Sequence, residues 1–453
     1  MATSRRSVRP SPLLRSSRAT AGHGRAAEDQ RDGIRGTDMR IVCVGGGPAG
    51  FYFAISTKLR DPAHEVTVIE RDPPGATYGW GVVYWDNLLD VFFRNDPASA
   101  RDIRAQSTLW QEQRISVEGA GAAYLAGYGF SMQRAALLDI LARRAIALGV
   151  RVEYRHEIDD LGPFADADLI VASDGANSRV RQAGGDLFGT SVTTGSNPYI
   201  WLGTDRFFDS FAFAFERTPA GWIWCHAYPS SAGLSTCIVE CTRRTWEGLG
   251  FDERGDEDTL RELEKIFAEP LDGHALISQC RGRTARWQRF TEITNQRWYH
   301  DNVVLLGDAA HTTHFTLGSG TALAIVDAVM LAQILYDNND DLTAALRSFD
   351  ARGRMALHPV QAAARTSMAW FEQADRYLDR DAVSFAYAMA GRHGRQPPWR
   401  YQVHRATQVP AIRRALRGLH SGSRWCLARR RGEPAPSRAK PPVRAEPPAR
   451  ADR

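Results

Sequence analysis

The segment RIVCVGGGPAG, residues 40–50, decides the fold of this chain. Its first five residues form an apolar run that is typical of a buried parallel strand. The glycines that follow are spaced as G-x-G-x-x-G, and a helix is predicted from Phe51 to Leu59. A second apolar run, Val66–Ile69, ends in Glu70, twenty residues after the last glycine of the motif. This order of strand, glycine turn, helix, strand and acid predicts a dinucleotide-binding fold.

Each part of this motif has a physical reason. The first glycine allows a tight turn, the second lets the backbone approach a pyrophosphate, and the third permits close packing of helix on strand. The helix N-terminus offers free N–H groups and a partial positive charge to phosphates. The acid at the end of the second strand can accept hydrogen bonds from a ribose diol. The predicted cofactor-binding residues of the motif are Gly45, Gly47, Pro48, Ala49, Gly50, Glu70 and Arg71.

Two later segments point to a flavin rather than to a nicotinamide nucleotide alone. Asp168–Ser178 is a strand that ends in an Asp-Gly turn, and Asn302–His311 is a strand that ends in Gly-Asp. Gly318 and Gly320 then precede a helix of small residues, Thr321–Tyr336. A carboxylate at a strand end suits polyol hydroxyls. A glycine-rich helix N-terminus suits the N1–C2=O edge of a flavin, which becomes negative on reduction.

The three motifs together resemble the single-component FAD-dependent aromatic hydroxylases of the para-hydroxybenzoate hydroxylase fold, over roughly residues 39–390. The resemblance implies that Asp308 holds the ribityl chain of FAD and that the Asp-Gly turn serves both FAD and NAD(P)H. It also implies that Arg134, on the helix before that turn, contacts the cofactor. The further cofactor-binding residues predicted in this way are Arg134, Asp174, Gly175, Gly307, Asp308, Gly318 and Gly320.

Other segments resemble one subgroup of this family, which includes salicylyl-CoA 5-hydroxylase, 2-aminobenzoyl-CoA monooxygenase and the violacein-pathway hydroxylase. These segments are Gly79–Val83, Tyr199–Asp205, His226–Tyr228, Ser235–Glu240 and His314–Thr321. Phe315 stands where most of the broad family has proline, and the subgroup shares this departure.

The resemblance implies an NAD(P)H-dependent monooxygenase. In this family reduced flavin reacts with O2 to give a C4a-hydroperoxide, whose distal oxygen hydroxylates a ring activated by an –OH or –NH2 group. Such a site must exclude water and stabilise the charge that develops on the ring substituent. The expected substrate is a salicylyl-CoA or anthraniloyl-type thioester. An aromatic intermediate tethered to a carrier protein or derived from tryptophan stays open, as does the choice between NADH and NADPH.

Three residues are candidates for catalysis. His226 and Tyr228 alternate on a predicted strand and therefore point to the same face. We predict that they face the substrate and orient the ring or deprotonate its substituent, the alternative being that both are core residues. His314, in the loop before the flavin-binding helix, is the second candidate base, whereas His311 is expected to pack structurally beneath the Gly-Asp turn.

The predicted fold class is α/β, a Rossmann-type FAD-binding domain with an inserted antiparallel-sheet substrate domain and a C-terminal helical region. Residues 395–427 are read either as a packed helical extension or as a contact for an acidic partner. The predicted divisions are a disordered extension at 1–38, the FAD-binding domain at 39–195 and 301–340, the substrate domain at 196–300, the helical region at 341–427 and a disordered tail at 428–453.

Composition excludes several other classes of protein. The net charge of +5 comes largely from the two tails and does not indicate a nucleic-acid binder. The six cysteines form no CxxC pair and have no histidine cluster at zinc-like spacing, which argues against a disulfide reductase and a metal site. Trp222–His226 lacks the Ile-Pro of flavin-dependent halogenases. No apolar run is long enough to predict a membrane span. We expect a cytoplasmic monomer or homodimer with reduced thiols.

Overall fold

The computed structural model describes residues 38–77, 79–280, 283–338, 341–394 and 397–433. The predicted N-terminal extension, except Asp38, lies outside the described residues. The strands are β1 Arg40–Val44, β2 Glu65–Glu70, β3 Gly81–Tyr84, β4 Thr108–Val117, β5 Gly121–Gln133, β6 Arg151–Tyr154, β7 Leu169–Ala172, β8 Thr190–Thr204, β9 Phe211–Thr218, β10 Gly221–Ser231, β11 Leu234–Cys241, β12 Leu276–Ile277, β13 Gln279–Cys280, β14 Arg283–Thr284, β15 Gln288–Asn295, β16 Tyr299–His300 and β17 Val303–Leu305. The helices are α1 Pro48–Arg60, α2 Asp86–Asn95, α3 Pro97–Ala105, α4 Arg134–Ala147, α5 Arg179–Ala183, α6 Arg243–Gly248, α7 Asp256–Ile266, α8 Ala268–Leu271, α9 Gly320–Asp337, α10 Leu342–Phe371, α11 Ala382–Ala390, α12 Pro398–Thr407 and α13 Pro410–Arg430.

One sheet has the strand order β16-β17-β7-β1-β2-β6 and is parallel except at β16. Its central strands are short apolar runs whose side chains are buried on both faces, as a parallel sheet covered by helices requires. Helices α1, α4 and α9 contribute to the same core. The α/β class and the dinucleotide-binding unit predicted from the glycine motif are therefore confirmed.

The second sheet has the order β12-β8-β11-β10-β9-β4-β5-β3, with β15 beside β8. It is antiparallel except for the parallel pair β4 and β9. Three of its strands, β3 to β5, come from residues 81–133, which the sequence analysis placed in the FAD-binding domain. The second sheet therefore combines strands from residues 81–133 with strands from residues 190–295, and these two segments fall in different predicted domains.

The C-terminal helices α10 and α11 cover one face of the second sheet. Phe371 and Phe385 pack there against Trp224 of β10 and Phe215 of β9. Helices α7 and α8 contribute to a separate apolar cluster that also contains residues of β8, β10 and β11. These helices therefore support the strands of the second sheet whose side chains line the site.

Helices α12 and α13 extend this helical region, so residues 397–430 form packed helices. Gln408 exchanges two hydrogen bonds of 2.9 Å with the backbone of Tyr124 on β5. Arg431 donates to Asp86 at 2.8 Å and to Asp90 at 2.6 Å. The prediction of a disordered tail from residue 428 is wrong for residues 428–433, because these ion pairs fix the end of α13 against α2.

Helix α9 is apolar enough to resemble a membrane span. It has 18 residues and a mean hydropathy of 1.4, and 44% of this segment is buried within the protein. The sequence analysis expected no apolar run long enough to span a membrane, and α9 contradicts this expectation in its length and composition. Ile325, Ala328 and Leu331 of α9 belong to the core of the first sheet, which explains the apolar composition.

Candidate active site

The glycine turn between β1 and α1 has the geometry that its motif predicts. Gly45 has φ +108°, and a Cβ there would lie 2.4 Å from the carbonyl oxygen of Ser173. A Cβ on Gly50 would lie 2.1 Å from the carbonyl oxygen of Gly45. A Cβ on Gly47 would meet nothing within 4 Å, so the backbone there faces open space. The turn is closed against β7 on one side and open toward a ligand on the other.

A cavity of about 340 Å³ lies over this turn. Gly45 and Gly47 line it, whereas Pro48, Ala49 and Gly50 begin α1 and do not contribute to its wall. Its remaining lining residues include Glu70, Arg71, Arg134, Asp139, Asp174, Gly175 and Asp308.

The Glu70 carboxylate is fixed by the backbone. It accepts hydrogen bonds from the Gly46 N–H at 2.7 Å and from the Asp72 N–H at 2.8 Å. Arg71 is largely exposed at the edge of the cavity, with its guanidinium 3.9 Å from Asp72. The acid thus closes the glycine turn and remains available as an acceptor.

The Asp-Gly turn after β7 presents a partly satisfied carboxylate. Asp174 Oδ2 accepts from the Arg179 N–H at 2.7 Å at the start of α5, whereas Oδ1 is buried without a hydrogen-bond partner. Burial raises the pKa of Asp174, against the hydrogen bonds it accepts. A Cβ on Gly175 would meet nothing within 4 Å. The unpaired Asp174 Oδ1 and the open backbone of Gly175 are therefore adjacent in the wall of this cavity.

A larger cavity of about 670 Å³ adjoins the first one. Arg134, Ala176, Asn177 and Asp308 line both cavities and mark their junction. Gly318 and Gly320, at the N-terminus of α9, line only the larger cavity, and Gly307 supports the junction by packing against Ala49 and Ala324.

The two charges at the junction, Arg134 and Asp308, lie away from the outer surface but open onto the cavities, where Asp308 is exposed and Arg134 is half-buried. Within the described part of the chain they form no ion pair with each other, and Arg134 Nε is buried without an acceptor. Removal from bulk water raises the pKa of Asp308, against the Arg134 and His311 charges that lower it. The same removal lowers the pKa of Arg134, against the influence of Asp308. Both side chains thus retain hydrogen-bonding capacity toward a polar ligand between the cavities.

These features fit FAD. An elongated dinucleotide requires an open glycine turn for its phosphates, acceptors for its ribose and ribityl hydroxyls, and a helix N-terminus for its flavin ring. The open space at Gly47, the unpaired Asp174 Oδ1 and the unpaired Arg134 Nε supply sites along such a ligand. Asp308 stands where the ribityl chain would pass between the cavities. The flavin would face the N-terminus of α9.

Eight of the residues that line the larger cavity are phenylalanine, tyrosine or tryptophan. His226 and Tyr228 of β10 lie on the same wall, with Trp201 of β8. Tyr228 donates its hydroxyl proton to the Gly81 carbonyl at 3.0 Å and is therefore held as an acceptor toward the cavity. Trp201 Nε1 is buried without a partner. The other aromatic lining residues are Trp85, Tyr199, Phe211, Phe213, Phe290 and Phe315.

A buried carboxylate that the sequence analysis missed lies behind His226. Glu240 Oε2 is 3.2 Å from His226 Nε2 and accepts from Trp224 Nε1 at 3.2 Å, while Oε1 accepts from Asn197 Nδ2 at 2.9 Å. Burial by itself raises the pKa of Glu240. The His226 hydrogen bond, the histidine charges and the Asn197 amide nevertheless hold it below its usual value. The carboxylate is therefore ionised at neutral pH.

His314 lies behind the cavity wall and does not line it. Its ring packs on Phe290 and Phe315, and its Nδ1 is 2.9 Å from the Thr316 hydroxyl. Burial lowers the pKa of His314 to about 4. This placement does not support the predicted role as a base in contact with substrate. His311 pairs with Asp327 at 2.7 Å in the core, as a structural role requires.

Arg392 is a second residue that the sequence analysis missed. It follows α11 and lines the cavity, where it donates to the Ser367 hydroxyl at 3.1 Å and the Met389 carbonyl at 2.9 Å. No carboxylate among the described residues forms an ion pair with it. Burial lowers its pKa to about 10, so the guanidinium remains charged at neutral pH. An uncompensated cation therefore faces the aromatic cavity.

An FAD-binding sheet that adjoins a cavity rich in aromatic side chains is typical of a flavoprotein that acts on aromatic compounds. A family model described as an FAD binding domain matches residues 137–341. Salicyloyl-CoA 5-hydroxylase of a Streptomyces species is 37% identical over 75% of this chain and 66% of its own length. The 3-hydroxy-4-methyl-anthranilyl-(aryl-carrier protein) 5-monooxygenase of Streptosporangium sibiricum is 37% identical over 74% of this chain and 89% of its own length. The chain belongs to the family of FAD-dependent aromatic monooxygenases.

Solved structures agree with this assignment at the level of the fold. The 2-methyl-3-hydroxypyridine-5-carboxylic acid oxygenase superimposes with a TM-score of 0.60 at 22% identity, covering 79% of this chain and 96% of that one. PqsL from P. aeruginosa gives 0.59 at 18% identity, covering 77% of this chain and 100% of that one.

Proposed function

We propose that this monooxygenase hydroxylates the ring of an aromatic acid that is bound as a thioester, with salicyloyl-CoA or an anthraniloyl thioester as the substrate. The observation that carries the proposal is the aromatic cavity of about 670 Å³ that meets the FAD groove at Arg134 and Asp308. A flat ring fits between the aromatic side chains, and among the polar groups that line the cavity His226, backed by Glu240, and the charged Arg392 are the ones proposed to meet its substituent. The reaction is expected to take place in the cytoplasm.

The balanced reaction consumes one O2 and one NAD(P)H with a proton, and it yields the hydroxylated ring, NAD(P)+ and water. Bound FAD would supply the reduction of O2 by NAD(P)H and the transfer of one oxygen atom to the ring. The chain must position the ring, exclude water and accept the proton of the ring substituent.

His226 is the proposed proton acceptor. Its Nε2 faces the ionised carboxylate of Glu240, so the ring proton of the neutral imidazole belongs on Nε2. Nδ1 then carries a lone pair and hydrogen-bonds no other described residue. A substrate hydroxyl or amino group that gives its proton to Nδ1 becomes more electron-rich, while Glu240 stabilises the imidazolium that forms.

The nature of the substrate is supported by the names of relatives. One acts on salicyloyl-CoA and another on an anthranilyl group held by an aryl-carrier protein, each at 37% identity. Protodeoxyviolaceinate monooxygenase of Chromobacterium violaceum, 29% identical over 80% of this chain and 96% of its own length, shows that relatives are not confined to thioesters. A carrier-tethered aromatic acid is therefore the second candidate, and a tryptophan-derived compound is the third.

The test measures NAD(P)H oxidation by the FAD-loaded enzyme with salicyloyl-CoA, benzoyl-CoA and free salicylate. We expect salicyloyl-CoA to accelerate oxidation and to gain one oxygen atom from 18O2. Benzoyl-CoA lacks the activating hydroxyl and should give hydrogen peroxide in place of product. Hydroxylation of free salicylate alone would contradict the thioester proposal but not the enzyme class.

A further inference from the structure

Another cavity, of about 560 Å³, adjoins the aromatic one on the side away from the FAD groove. Trp85, Gln113 and Ala126 line both cavities, so the two meet at these residues. The walls of this second space come from the start of α2, from β4 and β5, and from His420 of α13. We call it the outer cavity. It leads from the aromatic cavity toward the surface formed by α13.

The wall of the outer cavity contains a β-bulge and a buried indole N–H. The pairing of β4 with β5 passes from Trp110 opposite Gly129 to Glu112 opposite Ala126, which leaves one extra residue on β5. Such a bulge leaves backbone groups outside the ladder. Gly127 lies in this bulge with φ +154°, and a Cβ there would meet nothing within 4 Å. Trp110 is 1% exposed, and its Nε1 has no hydrogen-bond partner.

The outer end of this cavity is basic. No Asp or Glu occurs between residues 398 and 432, whereas α13 contains arginine at six positions. Two of them, Arg413 and Arg417, lie 3.8 Å and 2.5 Å from the single carboxylate of Glu112. With His420 they surround a small depression that also shares Ala126 with the outer cavity. The remaining arginines of α13 are Arg414, Arg424, Arg429 and Arg430.

We propose that the outer cavity binds the 4′-phosphopantetheine arm of the substrate, with the aromatic acyl group in the aromatic cavity and the phosphate against the basic residues of α13. The arm is narrow and contains two amides, which can hydrogen-bond to backbone groups that the β5 bulge places outside the ladder. Its phosphate can form charge-assisted hydrogen bonds with arginines of α13, such as Arg413 and Arg417, which lie beside His420. The inference rests on the proposed thioester function, and it assigns a role to α13. Coenzyme A and a carrier protein both present this arm.

The experiment compares Michaelis constants for salicyloyl-CoA and for salicyloyl-pantetheine, which lacks the phosphates. In R413Q/R417Q each glutamine keeps a hydrogen-bond donor for Glu112 but removes the positive charge. We expect KM for salicyloyl-CoA to rise about tenfold, the loss of one partly exposed charge-assisted hydrogen bond. KM for salicyloyl-pantetheine should not change. The matched control is R347Q/R352Q, two exposed arginines of α10 that are remote from the cavity.

Binding of coenzyme A itself, measured by calorimetry, gives a readout that does not depend on turnover. It should weaken in R413Q/R417Q, and it should weaken with added salt in the wild type but much less in the variant. If salicyloyl-CoA is turned over but the variant keeps wild-type KM and coenzyme A binding, the arm site is refuted while the function stands. If the wild type accepts no thioester, the proposed function fails first.

The source of the arm is decided by a further comparison. A lower KM for salicylate loaded on a carrier protein than for salicyloyl-CoA would identify the carrier as the natural source. The same double substitution must then raise KM for the loaded carrier, and an unchanged value would overturn the proposal.

Discussion

Replacement of Glu240 by glutamine tests whether the buried carboxylate assists proton transfer or only fills the core. E240Q keeps the shape of the side chain. Its oxygen can still accept from Trp224 and His226, and its amide can donate to Asn197 once that amide is turned over. The variant therefore removes the negative charge beside His226 with little loss of packing.

The magnitude follows from the distance. Glu240 Oε2 lies 3.2 Å from His226 Nε2. Two unit charges about 4 Å apart interact by about 4 kcal/mol at an effective dielectric constant of about 20. If half of the proton charge has reached His226 in the transition state, the loss is about 2 kcal/mol, or roughly 30-fold in rate. Complete transfer gives on the order of 1,000-fold.

The assay measures product formation and the ratio of product to NAD(P)H for thioesters whose ring hydroxyls differ in acidity. The effect of E240Q should be largest for the least acidic hydroxyl and should vanish when the hydroxyl is already ionised at the assay pH. The control is E216Q, which replaces another carboxylate of the same sheet, 9% exposed and without a hydrogen bond to His226. An equal loss for every substrate, or no loss, would refute the assignment of His226 as proton acceptor.

Three further predictions concern the cofactor, acid stability and the substrate. G50A should lower FAD retention at least about tenfold, because its Cβ would lie 2.1 Å from the Gly45 carbonyl oxygen. G255A is the control, since a Cβ there would meet nothing within 4 Å. The ratio of flavin to protein absorbance measures FAD retention in both variants. Burial lowers the pKa of His314 to about 4, below the ordinary value of 6.5, so the unfolded chain takes up this proton first and stability falls as pH drops from 6.5 toward 4. H314Q should remove up to about 3 kcal/mol of that fall, and a melting temperature with unchanged pH dependence would contradict the reasoning. R392Q should lower kcat/KM by about tenfold to 100-fold through loss of a buried charge-assisted hydrogen bond, and wild-type kcat/KM would exclude Arg392 from substrate binding.

The cofactor groove could be predicted from the sequence because its requirements are local. Gly45 needs a positive φ and Gly50 needs close packing, and the two positions are only five residues apart. Both requirements therefore appear as glycines in one short sequence motif. Asp308 follows its strand directly, and a strand end in a parallel sheet lies at the binding edge. The side chain's position between two cavities was not predictable, since it depends on α4 bringing Arg134 to the same place.

The substrate side could be predicted only in part, because its contacts join distant segments. The alternation of residues along β10 predicted that His226 and Tyr228 share a face. The sequence around His226 does not show that Glu240 of the adjacent strand contacts it. A lone carboxylate in the apolar strand β11 was the available signal. Arg392 has no such signal, since its burial results from the packing of α11 and α10 around the cavity. An alternating strand pattern likewise does not predict which sheet a strand joins, so the pairing of β3 to β5 with the second sheet was not predicted.

The arrangement of two histidines around one carboxylate limits where a proton can reside. Both His226 and His314 act on Glu240, yet only His226 is hydrogen-bonded to it and lines the cavity. Burial lowers the pKa of His314 to about 4, against the Glu240 charge that raises it, so His314 is neutral at pH 7. If His226 accepts the proton of the substrate as proposed, that proton would remain beside the Glu240 counter-ion rather than pass to His314. The ionised Glu240 carboxylate would then balance the positive charge of the His226 imidazolium while the ring is oxidised.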